Sequence, residues 1–154
     1  MLTVEEAIYK RRSIRYFKDD PLTPEEVEKL MNAGRKTPSA GARRPLKLLA
    51  IEQAEVKNKL MAAAIGQKSV GSAPLVIVIA ADYPKIVAKY RNRGYRYAML
   101  EAGHAGQNIA LMAVSMGLGS VMIGAFSDNM VKAILEIQED PLYLIPVGRL
   151  IDAV

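Results

Sequence analysis

A chain of 154 residues, 51% of them hydrophobic, can bury one sizeable core, and a single domain spanning 1–154 is the expectation. It contains no cysteine, which excludes disulfides, thiolate metal sites and cysteine nucleophiles, and its one histidine gives a metal centre little to build on. The formal net charge of +5 suits a phosphate-bearing ligand or an acidic partner without choosing between them.

The opening stretch MLTVEEAIYKRRS is charged within five residues and has no apolar core of signal-peptide length, so cytoplasmic residence is expected. Residues 2–11 read as a helix capped by Thr3, with Val4, Ala7 and Ile8 at helical spacing. Thr23-Pro24-Glu25-Glu26 starts a second helix, with threonine as cap, proline at the first helical position and acids facing the positive end of the dipole. That helix is expected to run to about Ala33 and stop at Gly34, with residues 37–41 as a loop.

Residues 46–51 read as a strand and 54–64 as a helix. The run 75–81 is Val/Ile-rich without alternation, which predicts a strand buried on both faces. The apolar stretch 73–81 is about half the roughly 20 residues that span a bilayer, so no membrane association is expected. Residues 96–116 read as a long helix in which Gly103 and Gly106 permit close approach of another backbone. Residues 120–123 are strand-like, Ser127-Asp128-Asn129 caps a helix to about Leu135, and 142–147 form a last strand. Interleaved helices and strands without strict βαβ regularity predict an α+β domain.

Three segments carry candidate chemistry. In Arg11-Arg12-Ser13-Ile14-Arg15, extended backbone places Arg11, Ser13 and Arg15 on one side, giving two guanidiniums and a hydroxyl for one phosphate; a solvated basic turn at a helix end is the alternative. Pro38-Ser39-Ala40-Gly41-Ala42-Arg43-Arg44-Pro45 lets backbone approach a flat ligand, or is an ordinary connection. The glycines from Gly117 to Gly124 do not fit the dinucleotide fingerprint, since no strand precedes them and no helix follows directly. Gly124 and Ala125 could present backbone N–H groups to a ring, or form a plain turn.

His104 reads as a packing or interface residue, and Glu101 as the partner of a nearby arginine or the cap of a neighbouring element rather than a base. No nucleophile and base stand together, so no catalytic side chain is assigned, and a borrowed cofactor would explain an enzyme so poor in reactive groups. The arginines are scattered among acids with no recognised motif, so no nucleic-acid partner is expected.

The segments RRSIRYF, TPSAGARRP, EAGHAGQNIALMAVSMGLGSVMIGAF and PVGR stand in an order and spacing that resemble the nitroreductase family along nearly the whole chain. The resemblance implies an FMN-dependent oxidoreductase with a mixed central sheet covered by helices, forming an intertwined homodimer. It implies that NADH or NADPH serves as co-substrate, that nitroaromatics, quinones or similar small molecules accept the electrons, and that turnover is ping-pong. An FMN-storage protein without nicotinamide-dependent turnover is the alternative.

By the same resemblance, Arg11, Arg12, Ser13 and Arg15 hold the phosphate and ribityl chain, joined by Gly148 and Arg149. Pro38, Ser39, Ala40 and Gly41 approach the flavin from the other subunit, Gly124 and Ala125 set backbone donors near the ring's reactive edge, and Gln67 hydrogen-bonds the ring. Relatives often carry asparagine and glutamine where this chain has Ala42 and Arg44, so contacts there differ. Many are longer, so a more open pocket and a shorter carboxy-terminal arm are implied here.

Overall fold

The computed structural model describes residues 1–151. In chain order the elements are α1 (Val4–Lys10), α2 (Pro24–Arg35), β1 (Leu46–Ile51), α3 (Ala54–Ala63), α4 (Lys68–Ser72), β2 (Leu75–Ala81), α5 (Tyr83–Tyr90), α6 (Arg93–Ser115), β3 (Leu118–Ser120), α7 (Asp128–Leu135) and β4 (Asp140–Arg149). The four strands make one sheet in the order β1-β2-β4-β3, giving the expected α+β architecture. Its three ladders are antiparallel, and the parallel component is confined to a bridge between Ser13 and Ser120. No helix among the described residues is long and apolar enough to cross a membrane. The expected short carboxy-terminal arm, ending at Val154, lies outside the described residues.

Helix starts follow their caps. Thr3 with Glu6 and Thr23 with Glu26 form reciprocal capping boxes, and the Ser127 side chain accepts from the Met130 N–H. Every residue of β2 is buried. Its Leu75, Ile77 and Ile79 meet Leu30 of α2 and Ile109 of α6 on one face, while Val76 and Val78 meet Leu60 of α3 and Val131 of α7 on the other. Burying each such branched side chain stabilises the fold by about 1.5–3 kcal/mol, which is why this run needs no alternation.

Several expectations are corrected. Gly34 does not stop α2: it is buried inside it, and a Cβ there would lie 2.5 Å from Leu48 Cδ2 and 2.9 Å from Ile109 Cδ1. Gly106 likewise faces this chain's own Met122, whose Sδ would lie 2.9 Å from an added Cβ, whereas Gly103 opens outward with nothing within 4 Å. Only Gly103 can therefore receive another backbone. The strand-like run 120–123 begins earlier, at Leu118, and continues past Ser120 as an irregular ribbon joined to β4 where Ile123 and Leu144 exchange N–H···O bonds of 2.9 and 3.0 Å.

Candidate functional site

The basic segment leaves α1 at Arg11 and lies extended across the end of the sheet. The Ile14 N–H donates to the Ser120 carbonyl at 2.9 Å, and the Lys18 N–H to the Arg149 carbonyl at 3.0 Å. Two glycines paired across β3 and β4, Gly119 and Gly148, make this seat possible. A Cβ on Gly119 would sit 2.7 Å from Ile14 Cγ1 and 2.8 Å from its Cβ; one on Gly148 would sit 2.9 Å from Phe17 Cβ. The missing side chains are thus filled by Ile14 and Phe17, which fixes the backbone between them.

Beside this seat lies a cavity of about 250 Å³ walled by Lys10, Arg11, Arg12, Gly119, Ser120 and, from α6, Val114. Arg11 is half-buried; Arg12, Ser13 and Arg15 are exposed. Among the described residues none of Lys10, Arg11, Arg12 and Arg15 forms an ion pair. Cations without counter-charges, around a backbone locked by glycine packing, suit a phosphate monoester. The donor set fits the FMN phosphate, and the cavity is of phosphate and ribityl size rather than flavin size.

Arg149 is held differently. Its Nη1 and Nη2 donate to Glu26 Oε1 and Oε2 at 3.1 and 2.9 Å, and Glu26 Oε2 also accepts the Thr23 N–H at 2.8 Å. The Arg149 guanidinium beside it, helped by the Thr23 N–H against the cost of burial, holds the Glu26 carboxyl below its ordinary range. The Nε–H of Arg149 and the outer N–H of each Nη have no protein acceptor among the described residues. The Thr23/Glu26 cap is visible in sequence, but its partner 123 positions away is not.

The ribbon from Ser120 ends at Gly124 and Ala125, both exposed, with no Cβ obstruction at Gly124. Their N–H groups have no protein acceptor among the described residues. Gln67 Nε2 donates to the Ala125 carbonyl at 3.1 Å, so Gln67 joins this turn. Gly124 is four residues on from Ser120, where the basic segment is seated, a span of roughly 14 Å at most.

The loop after α2 contains a tight turn at Ala40–Ala42. Gly41, Ala42 and Arg44 have positive φ of 57°, 52° and 50°, on either side of a right-handed Arg43, and the conformation is strained for the latter two. It is held from inside: the Arg44 N–H donates to Ser39 Oγ at 3.0 Å, and Arg44 Nη1 donates to the Arg35 and Thr37 carbonyls at the end of α2. Arg44 is thus turned onto a helix C-terminus, where its charge is favoured. A Cβ on Gly41 would meet Tyr90 Oη at 2.5 Å and Lys89 Nζ at 2.8 Å.

Pro38, Ser39 and Ala40 face a concavity completed by Tyr97, Leu100, Glu101 and His104 of α6. His104 is exposed, at the rim. Glu101 is only 4% exposed, and its Oε1 has no hydrogen-bond partner. The expected arginine pair is not formed among the described residues, and Arg44 is turned onto the α2 carbonyls instead. The phosphate-side cavity is walled by Ala110 and Val114 and the loop by residues 97–104, so the two lie roughly 9–25 Å apart along α6. One chain does not bring them together.

The Nitroreductase family model matches residues 8–71 and 56–149. A candidate nitroreductase of Methanocaldococcus jannaschii is 38% identical over 98% of this chain and 93% of its own. The NAD(P)H-dependent FMN reductase of Bacillus subtilis is 25% identical, with 98% of this chain aligned to 65% of that one. Among solved structures, the NADPH:FMN oxidoreductase from Vibrio harveyi complexed with NAD+ superposes with a TM-score of 0.87 at 26% identity, covering 97% of this chain and 69% of that chain.

Proposed function

Because the chain belongs to the nitroreductase family, we propose that it is an FMN-dependent oxidoreductase that uses NADH or NADPH to reduce nitroaromatic, quinone or similar small acceptors. The observation that carries this reading is the set of cations at Arg11, Arg12 and Arg15, without an ion pair among the described residues, on a backbone seated over Gly119 and Gly148. When bound, FMN supplies the two-electron chemistry that no side chain here offers.

The protein's part is positional. Arg11, Arg12, Ser13 and Arg15 hold the phosphate and ribityl chain, Gly148 allows their close seating, and Arg149 adds the donors that Glu26 leaves free. The exposed N–H groups of Gly124 and Ala125 favour negative charge at the ring edge, and Gln67 braces that turn through the Ala125 carbonyl while meeting the ring. Pro38, Ser39, Ala40 and Gly41 cover the ring of a second copy, which the separation along α6 supports.

That second copy packs against an apolar groove of about 630 Å³, lined by Leu2, Val4, Ala7, Leu111, Met112 and Met116, and against the open Gly103 of the same helix. NAD(P)H and acceptor visit one place in turn, in the cytoplasm where reduced nicotinamide is supplied. The test is to purify the protein, identify the released flavin, and follow anaerobic bleaching. FMN and bleaching by a nicotinamide are expected, with parallel double-reciprocal lines. A protein that stays colourless with added FMN overturns the reading, and one bleached by dithionite alone is a flavin carrier.

A further inference from the structure

Residues 35–51 hold five Lys or Arg, residues 83–100 hold another five, and neither stretch holds an Asp or Glu. The whole chain has a net charge of +5, so these ten cations leave the remaining residues with more acids than bases. Among the described residues only Lys47 of the ten forms an ion pair, with Glu139. The fold brings the two stretches together. The N–H of half-buried Asp82, at the start of α5, donates to the Pro45 carbonyl at 2.7 Å. Ala40 shares a small apolar cluster with Ile86 and Tyr90, and a Cβ on Gly41 would lie 2.8 Å from Lys89 Nζ. Arg35, Arg44 and Lys85 border one hollow of about 340 Å³, in which the buried Glu101 is the only acid.

The α5 part of this patch points away from the second copy. Gly94 and Gly103 of α6 are about two and a half helical turns apart and so lie on opposite sides of the helix. Helix α5 rests on Gly94, where a Cβ would sit 3.0 Å from the Ile86 C and the Val87 N, whereas Gly103 marks the side assigned to the second copy. No large apolar side chain is exposed in residues 35–51 or 83–91. A lipid anchor or a permanent subunit face would need such side chains; a transient, charge-steered complex does not. Lys85 and Lys89, four residues apart on α5, also repel each other by about 0.2–0.5 kcal/mol, which an acidic partner relieves.

We propose that this patch docks an acidic one-electron carrier protein, of iron–sulfur or flavodoxin type, as a second source of electrons beside NAD(P)H. The inference rests on the flavin reading above, because α5 backs the loop assigned to the ring of the second copy. A hydride donor must bring its reacting atoms to about 3–3.5 Å of the ring, whereas an electron can cross the intervening loop. Two reduced carriers each give up one electron, both electrons pass to the flavin with two protons from water, and the carriers leave oxidised.

The probes are a plant-type [2Fe–2S] ferredoxin and a flavodoxin, both acidic, with a short duplex DNA for comparison. Anisotropy of the labelled, oxidised probe reads association, and stopped-flow bleaching by the reduced probe, freed of its reductant, reads electron transfer. At least one carrier should bind, more weakly as salt rises, and bleach the flavin. Lys85→Glu/Lys89→Glu should weaken that binding about tenfold or more and slow bleaching by the carrier, with bleaching by NADPH unchanged. Arg91→Gln, in the turn after α5, should act in the same sense and keeps the test decisive if charge reversal unfolds the chain. Binding of neither carrier, binding that these substitutions leave unchanged, or binding without bleaching overturns the proposal. Tighter binding of the DNA assigns the patch to nucleic acid and overturns it as well. If charge-sensitive binding appears in a protein that takes up no FMN, the flavin reading fails and the docking surface stands.

Discussion

Replacing Gly119 with alanine adds one methyl group at the point where the basic segment rests on the sheet. That methyl would lie 2.7 Å from Ile14 Cγ1, 2.8 Å from Ile14 Cβ and 2.8 Å from Leu150 Cδ2, all well inside van der Waals contact. Leu150 can turn away, but the Ile14 Cβ is fixed to backbone that donates to Ser120, so the segment itself must lift. Overpacking of this kind costs about 1–3 kcal/mol, which for a chain of this length lowers Tm by about 3–9 °C. Lifting also moves Arg11 and Arg12, which wall the cavity, and FMN affinity should fall about tenfold although no charge is removed. Quenching of flavin fluorescence on binding measures the affinity, and a thermal melt of the apoprotein measures the stability. Wild-type values of both would refute the seating argument. Wild-type affinity with a lowered Tm would refute the link from the seat to the phosphate.

Other outcomes follow from the same geometry. Arg15→Ala, which removes a charge-assisted contact of roughly 1.5–3 kcal/mol, should weaken FMN binding about tenfold or more in a titration, with little change in Tm. Glu26→Gln should cost about 1–2 kcal/mol of stability at pH 7, since the pair with Arg149 is partly solvent-screened. The folded-state pKa of Glu26 lies below its ordinary 4.5, so its contribution is complete above that value and is lost as pH falls through the depressed one. Denaturation curves of wild type and variant should therefore converge in acid. Gly103→Leu, which places a bulky group on the one open glycine of the α6 face, should halve the mass in light scattering if that face packs against a second copy.

Structure carried by local pattern is legible from the residues. Strands β1 and β2 can be read to the residue, because a continuous apolar run between polar breaks needs no distant information. The starts of α1, α2 and α7 are written in their caps. Helices α4 and α5 escape a reading by pattern, since one is five residues long and the other is begun by Tyr83-Pro84 without a side-chain cap. Gly34 and Gly106 mislead for a tertiary reason: what decides a glycine inside a helix is the side chain that comes to meet it. The same division holds at the site. The guanidinium and serine chemistry of residues 11–15 is readable, but the glycine seat beneath it comes from residues over 100 positions later. Ser39 belongs by pattern to the flavin loop, yet its hydroxyl oxygen already accepts from Arg44, and the ion pair expected of Glu101 is not made among the described residues.

The distance along α6 between the phosphate-side cavity and the loop of Pro38, Ser39 and Ala40 has a genetic consequence. If every site takes its cation cluster from one polypeptide and its loop from another, damage to the two parts need not add. A chain lacking Arg11 and Arg12, and a chain with Gly41 filled by a larger side chain, would each be inactive alone. Mixed after subunit exchange, they would form pairs in which one site carries both defects and the other carries neither. Two inactive alleles would then complement each other in one cell, with activity set by how the chains pair.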